Sequence, residues 1–253
     1  MSKYWKKTAV VVAWFLIWYL VALLINNQLK FPGPIETLRV LFSQVIAGEG
    51  FVLTVGASLL RILLGFTGAF MIGVSTGIAA GIYKGFSDFM EPVVSVARAT
   101  PVMSFIILAM IWFSFSTVPV VICFLMCFPI FYQNSKEGIL NTDSNLVKMA
   151  DLYKVPGGKI ITGIYLRSMK PYVNAAANIC LGLAFKVTVA AEVLASPDYG
   201  IGSRLYDAKI YLEPVEVFAW TFVILVLSYL LEQILRIIFK SRKQRSNKDV
   251  AGN

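Results

Sequence analysis

Long apolar runs separated by short polar stretches dominate this chain. They span Thr8 to Ile25, about Leu53 to Tyr83, Val93 to Phe113, Val118 to Tyr132, Pro171 to Ala195 and Val215 to Phe239. Each approaches or exceeds the ~20 residues a helix needs to cross the hydrocarbon of a bilayer. The pattern predicts an all-α integral membrane protein with about six transmembrane helices. The third and fourth runs are nearly continuous across Ser114-Phe115-Ser116-Thr117, so five or seven spans are also compatible. The first run leads into Asn26-Asn27-Gln28 and is longer than a signal-peptide core, so it reads as a retained span. Between the first two runs, Pro32-Gly33-Pro34 precedes an amphipathic stretch, Ile35–Ile46, with Pro34 suited to a first helical turn. The other polar connections are Asn134–Lys170 and Ser196–Pro214. One transmembrane domain is expected over residues 1–240, with a disordered basic tail at 241–253.

Composition narrows the class. The 253 residues are 58% hydrophobic and 15% charged, whereas a soluble domain is about 45–50% apolar and about 25% charged. The net charge of +9 would suggest nucleic acid in a soluble chain. In a membrane chain it reports orientation instead, and no nucleic-acid partner is expected. With the N-terminus inside, cytoplasmic segments collect Lys3, Lys6, Lys7, Lys84, Lys136, Lys148, Lys154, Lys159, Arg167, Lys170 and the basic C-terminal cluster. Outer segments hold Lys30, Arg39, Arg204 and Lys209. This bias puts both termini in the cytoplasm and favours an even number of spans. Histidine is absent, which excludes His-based acid–base chemistry, His metal sites and a Ser-His-Asp triad. Cys123, Cys127 and Cys180 lie in apolar runs and read as small hydrophobes, so no metal site is expected. There is no Walker A loop, so the chain supplies no nucleotide site of its own.

Two spans carry ordered small or polar positions. In the second, Gly65, Ala69, Gly73, Gly77 and Gly81 recur at steps of four, which lets helix backbones approach closely. Extending that series backwards reaches Arg61. In the fifth span, Ala176, Cys180, Ala184, Thr188 and Glu192 form one stripe. Asn174, Asn178, Gly182, Lys186 and Ala190 form another, offset by two residues or about 200°. One face then packs inside the subunit while the opposite face meets water. Arg61 and Glu192 both fall in the outer half of the membrane, which suggests a structural ion pair between spans two and five. The alternative is that Arg61 snorkels at the end of its span. Lys186 lies near the middle of its span. It either faces an aqueous path or subunit interface and favours anionic cargo, or pairs with a carboxylate or snorkels.

The cytoplasmic connection contains Asn145–Lys154, then Val155-Pro156-Gly157-Gly158, then a second periodic stretch, Lys159–Met169. Leu146, Met149, Leu152 and Tyr153 fall at helical spacing. Ser144 or Asn145 is expected to cap the first helix and Gly157-Gly158 to break it. The result is a helix–turn–helix at the cytoplasmic surface.

Several motifs resemble the permease subunit of a type I ABC importer, in the branch that handles nitrate, sulfonates and taurine. They are FPGPIETL at Phe31–Leu38, SLLRILLGF at Ser58–Phe66, Glu91-Pro92, Arg98-Ala99-Thr100-Pro101, LGLAFKVTVAAEVL at Leu181–Leu194 and Gly200-Ile201-Gly202. The similarity covers about residues 30–240. It implies that the cytoplasmic loop carries an EAA-type motif whose helix couples to an ATPase subunit. The coupling residues are then Lys148, Met149, Ala150, Asp151, Leu152, Tyr153, Lys154 and Gly157. Lys148 replaces the usual Glu, Lys154 the usual Gly, and Arg167 falls where Pro is usual, while Ala150 and Pro171 agree with the pattern. The added basic residues suggest an acidic ATPase groove.

The resemblance further implies a second permease chain forming a homodimer, two ATP-binding subunits and an extracellular or periplasmic substrate-binding protein. ATP and Mg²⁺ would sit on the partner ATPase, with no cofactor on this chain. The location implied is a bacterial cytoplasmic (inner) membrane, multi-pass. The expected cargo is a small anionic or zwitterionic solute, with Asn174, Asn178 and Lys186 on the translocation path. The rival readings are a self-contained secondary transporter or channel using Lys186, Glu192 and Arg61 as a relay, and a membrane enzyme using Asp88 and Glu91 near Arg98.

Overall fold

A computed structural model describes residues 2–27, 29–48 and 50–251, with side chains described except at 2–4, 6, 7, 11, 44, 232 and 234–251. The first span is α1 (Ser2–Ile25), which ends where Asn26 turns left-handed at φ 43°. The short outer helix α2 (Pro34–Val40) starts on Pro34, whose missing N–H costs nothing there, and widens into a π-helical turn over Leu41–Ile46. The second span is α3 (Phe51–Ile82).

The stripe of small residues on α3 packs against α6 (Val118–Leu140). A methyl group added at Gly73 would lie 2.7 Å from Phe131 Cβ, and one at Gly77 2.5 Å from the Tyr132 carbonyl oxygen. One at Gly81 would lie 2.5 Å from Ile139 Cβ. The two backbones therefore touch along most of their length. Phe66 and Phe70 flank the seam edge-on to Phe131, with centroids 5.4 Å away.

The third run departs from the expected single span. It forms α4 (Lys84–Ala99) and α5 (Val102–Trp112), bent by 104°. Pro101 causes the break: it donates no backbone N–H and forces the residue before it out of the helical region. Thr100 accordingly sits at φ −76°, ψ 130°. At 1.5 Å per residue, α5 is roughly 16 Å long, too short to cross a membrane alone. Among the described residues five helices are individually long and apolar enough to span, or six if the bent pair is counted as one span.

The cytoplasmic connection is shorter than the expected Asn134–Lys170. α6 continues to Leu140, and along its last turns Gln133 donates to Glu137 at 3.0 Å. Next comes α7 (Ser144–Leu152), then α8 (Gly157–Ile160) and a π-helical turn, Ile161–Tyr165, leading directly into α9 (Leu166–Ala195). The second half of the expected helix–turn–helix is thus the foot of the fifth span. Gly157 and Gly158 open α8 rather than breaking α7. The outer connection folds into α10 (Ile201–Ile210), and α11 (Pro214–Ala251) completes the chain. Where a disordered tail was expected from Ser241, the backbone stays helical to Ala251, and no Gly or Pro interrupts it before Gly252. Residues 252–253 of that tail lie outside the described residues.

The larger core cluster gathers residues of α3, α6, α9, α10 and α11. A smaller one seats Ile106 and Ala109 of α5 on Val118 and Ile122 of α6 and on Val187 and Ala191 of α9. Cys123, Cys127 and Cys180 are buried free thiols, and the Sγ of Cys127 and that of Cys180 each donate to the other's carbonyl at 3.6 Å. α1 stands largely apart, attached by Trp18, which stacks on Phe218 and donates from Nε1 to the Pro32 carbonyl at 3.0 Å.

Candidate functional site

Three features stand out, one at each membrane surface and one between. At the outer side, α3 presents Ser58 and Arg61 three residues apart, so both face α9. Arg61 Nη1 lies 2.8 Å from Glu192 Oε1, with the arginine 7% and the glutamate 0% exposed. Burial of both charges removes snorkelling as the account of Arg61. The same Nη1 donates to the Tyr199 carbonyl at 2.6 Å; Nε and Nη2 donate to the Ser116 carbonyl and hydroxyl at 3.1 and 3.2 Å. Glu192 also accepts from the Ser58 hydroxyl at 2.8 Å and from the Gly202 N–H at 3.0 Å. Ser58 Oγ in turn accepts from the Ile201 N–H at 2.9 Å. One buried pair thereby ties α3, α9, the start of α10 and the α5–α6 turn together. A side chain at Gly200 would come within 2.9 Å of Glu192 Cδ and 3.1 Å of Arg61 Nη1, so the approach itself demands glycine.

Between the surfaces, the two stripes of α9 separate. Ala176, Cys180, Ala184, Thr188 and Glu192 are all fully buried. On the other side Asn178, Lys186 and Ala190 are exposed, and Asn174 and Gly182 half-buried. No ion pair to Lys186 occurs among the described residues. α5 packs on Val187 and Ala191, next in sequence to Lys186 and Ala190, and leaves Met103, Ile107 and Ile111 exposed. A mid-span ammonium on lipid is costly, so this face requires water or a partner.

At the cytoplasmic side, Asp143 caps α7, accepting from the Asn145 N–H at 2.8 Å. The cap is one residue earlier than expected, because its carboxylate reaches the first free N–H groups. Ala150 is buried, whereas Leu146, Met149, Leu152 and Tyr153 are exposed together with Lys148, Asp151, Lys154 and Gly157. The helix ends as Lys154 turns left-handed, at φ 50°, while the Val155 N–H bonds back to the Ala150 carbonyl at 2.9 Å. That conformation favours glycine, which accounts for the Gly usual at this place in the motif.

Asp88 and Glu91 do not assemble a reactive cluster with Arg98. Glu91 instead pairs with Lys136 of α6 at 3.3 Å. Among the described residues no group of acidic or cysteine side chains could hold a metal ion.

Residues 69–244 match the family described as "Binding-protein-dependent transport system inner membrane component". The chain belongs to this family. It is a permease subunit of the ABC importer class. This permease is 26% identical over 230 residues to the taurine transport system permease protein of Escherichia coli, covering 88% of this chain and 82% of that one. It is 25% identical to the putative aliphatic sulfonates transport permease protein of Bacillus subtilis, over 91% and 82% of the two chains. With the nitrate import permease protein of Synechococcus elongatus it shares 28% identity over 76% and 72%. Its fold superposes on a chain of the inward-facing MetNI methionine ABC transporter with TM-score 0.63 and 15% identity, over 75% of this chain and 94% of that one. The family match begins at residue 69, covers the second, smaller part of α3 and continues through α7, α9 and α10. Ser58 and Arg61 lie ahead of it.

Ser58 and Ser116 were not singled out in the sequence as partners of the ion pair. Ser58 had a local signal, since it precedes Arg61 by three residues on one helix. Ser116 had none, because its role depends on where α5 and α6 meet.

Proposed function

We propose that two copies of this permease enclose a path for a small anionic or zwitterionic solute, with Lys186 facing that path from each copy. The observation that supports this reading is Lys186, exposed about two-thirds of the way along α9 and without an acidic partner among the described residues, on a stripe of Asn174, Asn178, Gly182 and Ala190. An ammonium there attracts a negatively charged group in a low-dielectric passage. The relatives named for taurine, aliphatic sulfonates, nitrate and bicarbonate point to cargo of the same chemistry. ATP and Mg²⁺ bind two partner subunits docked on the exposed face of α7, and hydrolysis there drives alternate access. A separate extracytoplasmic binding protein delivers the solute. Both termini lie on the cytoplasmic side of a bacterial cytoplasmic membrane.

Energised membrane vesicles containing the full complex test this with radiolabelled taurine, methanesulfonate, nitrate and bicarbonate. One of these anionic or zwitterionic probes is taken up by the native complex. Lys186→Gln raises its half-saturation at least about tenfold, equivalent to ~1.4 kcal/mol, while Lys186→Arg retains most uptake. Equal uptake kinetics in native and Lys186→Gln complexes overturn the proposal.

A further inference from the structure

We infer that the crevice between α1 and α2 is a binding site for one outer-leaflet phospholipid with an amine headgroup. Two cavities meet there. One, of about 330 Å³, is an apolar groove walled by Val12, Phe15, Leu16 and Leu38. The other, of about 350 Å³, is walled by Asn26, Asn27, Phe31 and Glu36. Tyr19 and Ile35 line both, so the two share a wall.

Their order matches a lipid molecule. α1 climbs outward from the cytoplasm, and at 1.5 Å per residue Asn26 stands about 21 Å beyond Val12. On the proposed orientation the polar pocket lies at the depth of outer-leaflet headgroups, and the apolar groove, about 15 Å below it at Leu16, lies near the bilayer midplane, where the ends of outer-leaflet acyl chains reach. Tyr19, at the junction, starts about 10 Å below Asn26 and reaches its hydroxyl toward the headgroups from there. Protein does not fill the groove: apart from Trp18, α1 is little packed against the rest of the fold, and Phe15 and Leu16 are exposed.

Charge selects the headgroup. Glu36 is the one charged side chain in either lining, and no ion pair holds it among the described residues. A phosphoglycerol headgroup would bring a bare anion against that carboxylate. A phosphoethanolamine headgroup brings an ammonium to it, leaving its phosphate to the side-chain NH₂ groups of Asn26 and Asn27 and to the Tyr19 hydroxyl. Lys30 and Arg39, which would favour an anionic lipid, line neither cavity.

Native mass spectrometry of the intact complex, released from nanodiscs of equal phosphatidylethanolamine and phosphatidylglycerol, tests the assignment. One phosphatidylethanolamine is retained per permease chain, preferred about fivefold, as a single interfacial ion pair allows. Glu36→Gln removes the preference, and Glu36→Lys shifts it to phosphatidylglycerol. Leu16→Trp, which fills the groove, releases the lipid although Glu36 is intact. Retention of neither lipid by the native complex overturns the site, as does an unchanged ratio in Glu36→Gln. Efficient disulfide crosslinking of two chains through Leu16→Cys also overturns it, because the crevice would then be closed by a second copy.

Discussion

Replacing Glu192 with Gln is the most discriminating perturbation of the outer clamp. The side chain keeps its shape and loses its charge. As a carboxylate it accepts from Arg61, Ser58 and the Gly202 N–H. As an amide it keeps one acceptor oxygen and turns an NH₂ toward groups that themselves donate. The Arg61 guanidinium is then left buried without a counter-charge. Breaking a buried pair by removing one partner costs about 3–5 kcal/mol, and the hydrogen bonds to Ser116 and Tyr199 that survive place this variant near the lower figure. At roughly 2–4 °C per kcal/mol for a chain of this size, the melting temperature of the detergent-solubilised permease falls by about 6–12 °C. A cycle of Arg61→Ala, Glu192→Ala and the double variant completes the test. The double variant melts close to either single one, giving a coupling of about 3 kcal/mol, because the second removal takes away a charge that was already unpaired. A Glu192→Gln melting temperature within about 1 °C of native, or additivity within about 0.5 kcal/mol, would refute the reasoning.

Two further outcomes follow from backbone geometry. Gly77→Ala puts a methyl 2.5 Å from the Tyr132 carbonyl oxygen and 2.7 Å from Ser135 Cβ, so it destabilises the permease by about 1–3 kcal/mol in thermal melts. Gly182→Ala meets no atom within 4 Å and, by removing a mid-helix glycine, stabilises the single chain by about 0.5–1 kcal/mol; equal effects of the two would contradict the α3–α6 seam. Lys154→Gly relieves a left-handed φ of 50° and slows hydrogen exchange of the Val155 amide about two- to fivefold, equivalent to about 0.5–1 kcal/mol. Faster exchange would mean that the lysine side chain itself holds the turn.

The features legible in the sequence are those with a period. Steps of four from Gly65 to Gly81 announce the α3–α6 contact, because only small residues permit it. The offset of two residues between the Thr188–Glu192 and Lys186–Ala190 series puts them on opposite faces of any helix, whatever surrounds it. The bend at Thr100-Pro101 was harder to read, since apolar residues continue on both sides and hydropathy does not register a missing N–H. The ends of α6 and α7 follow from individual bonds, such as Asp143 to the Asn145 N–H, rather than from pattern. α10 is short and polar, and its start is fixed by tertiary bonds from Ile201 and Gly202 to Ser58 and Glu192. The same dependence on assembled geometry hid Ser116.

The central claim is that this permease is driven through α7 by a separate ATPase. Gentle-detergent purification of the tagged chain from its native membrane, with mass spectrometry of the eluate, tests it most directly. A subunit bearing a Walker A loop co-purifies with the native chain. It is lost from Leu152→Asp, which puts a charge on the exposed face of α7 without touching buried Ala150. A chain that runs alone under repeated crosslinking, or an ATPase equally abundant with Leu152→Asp, would contradict the account.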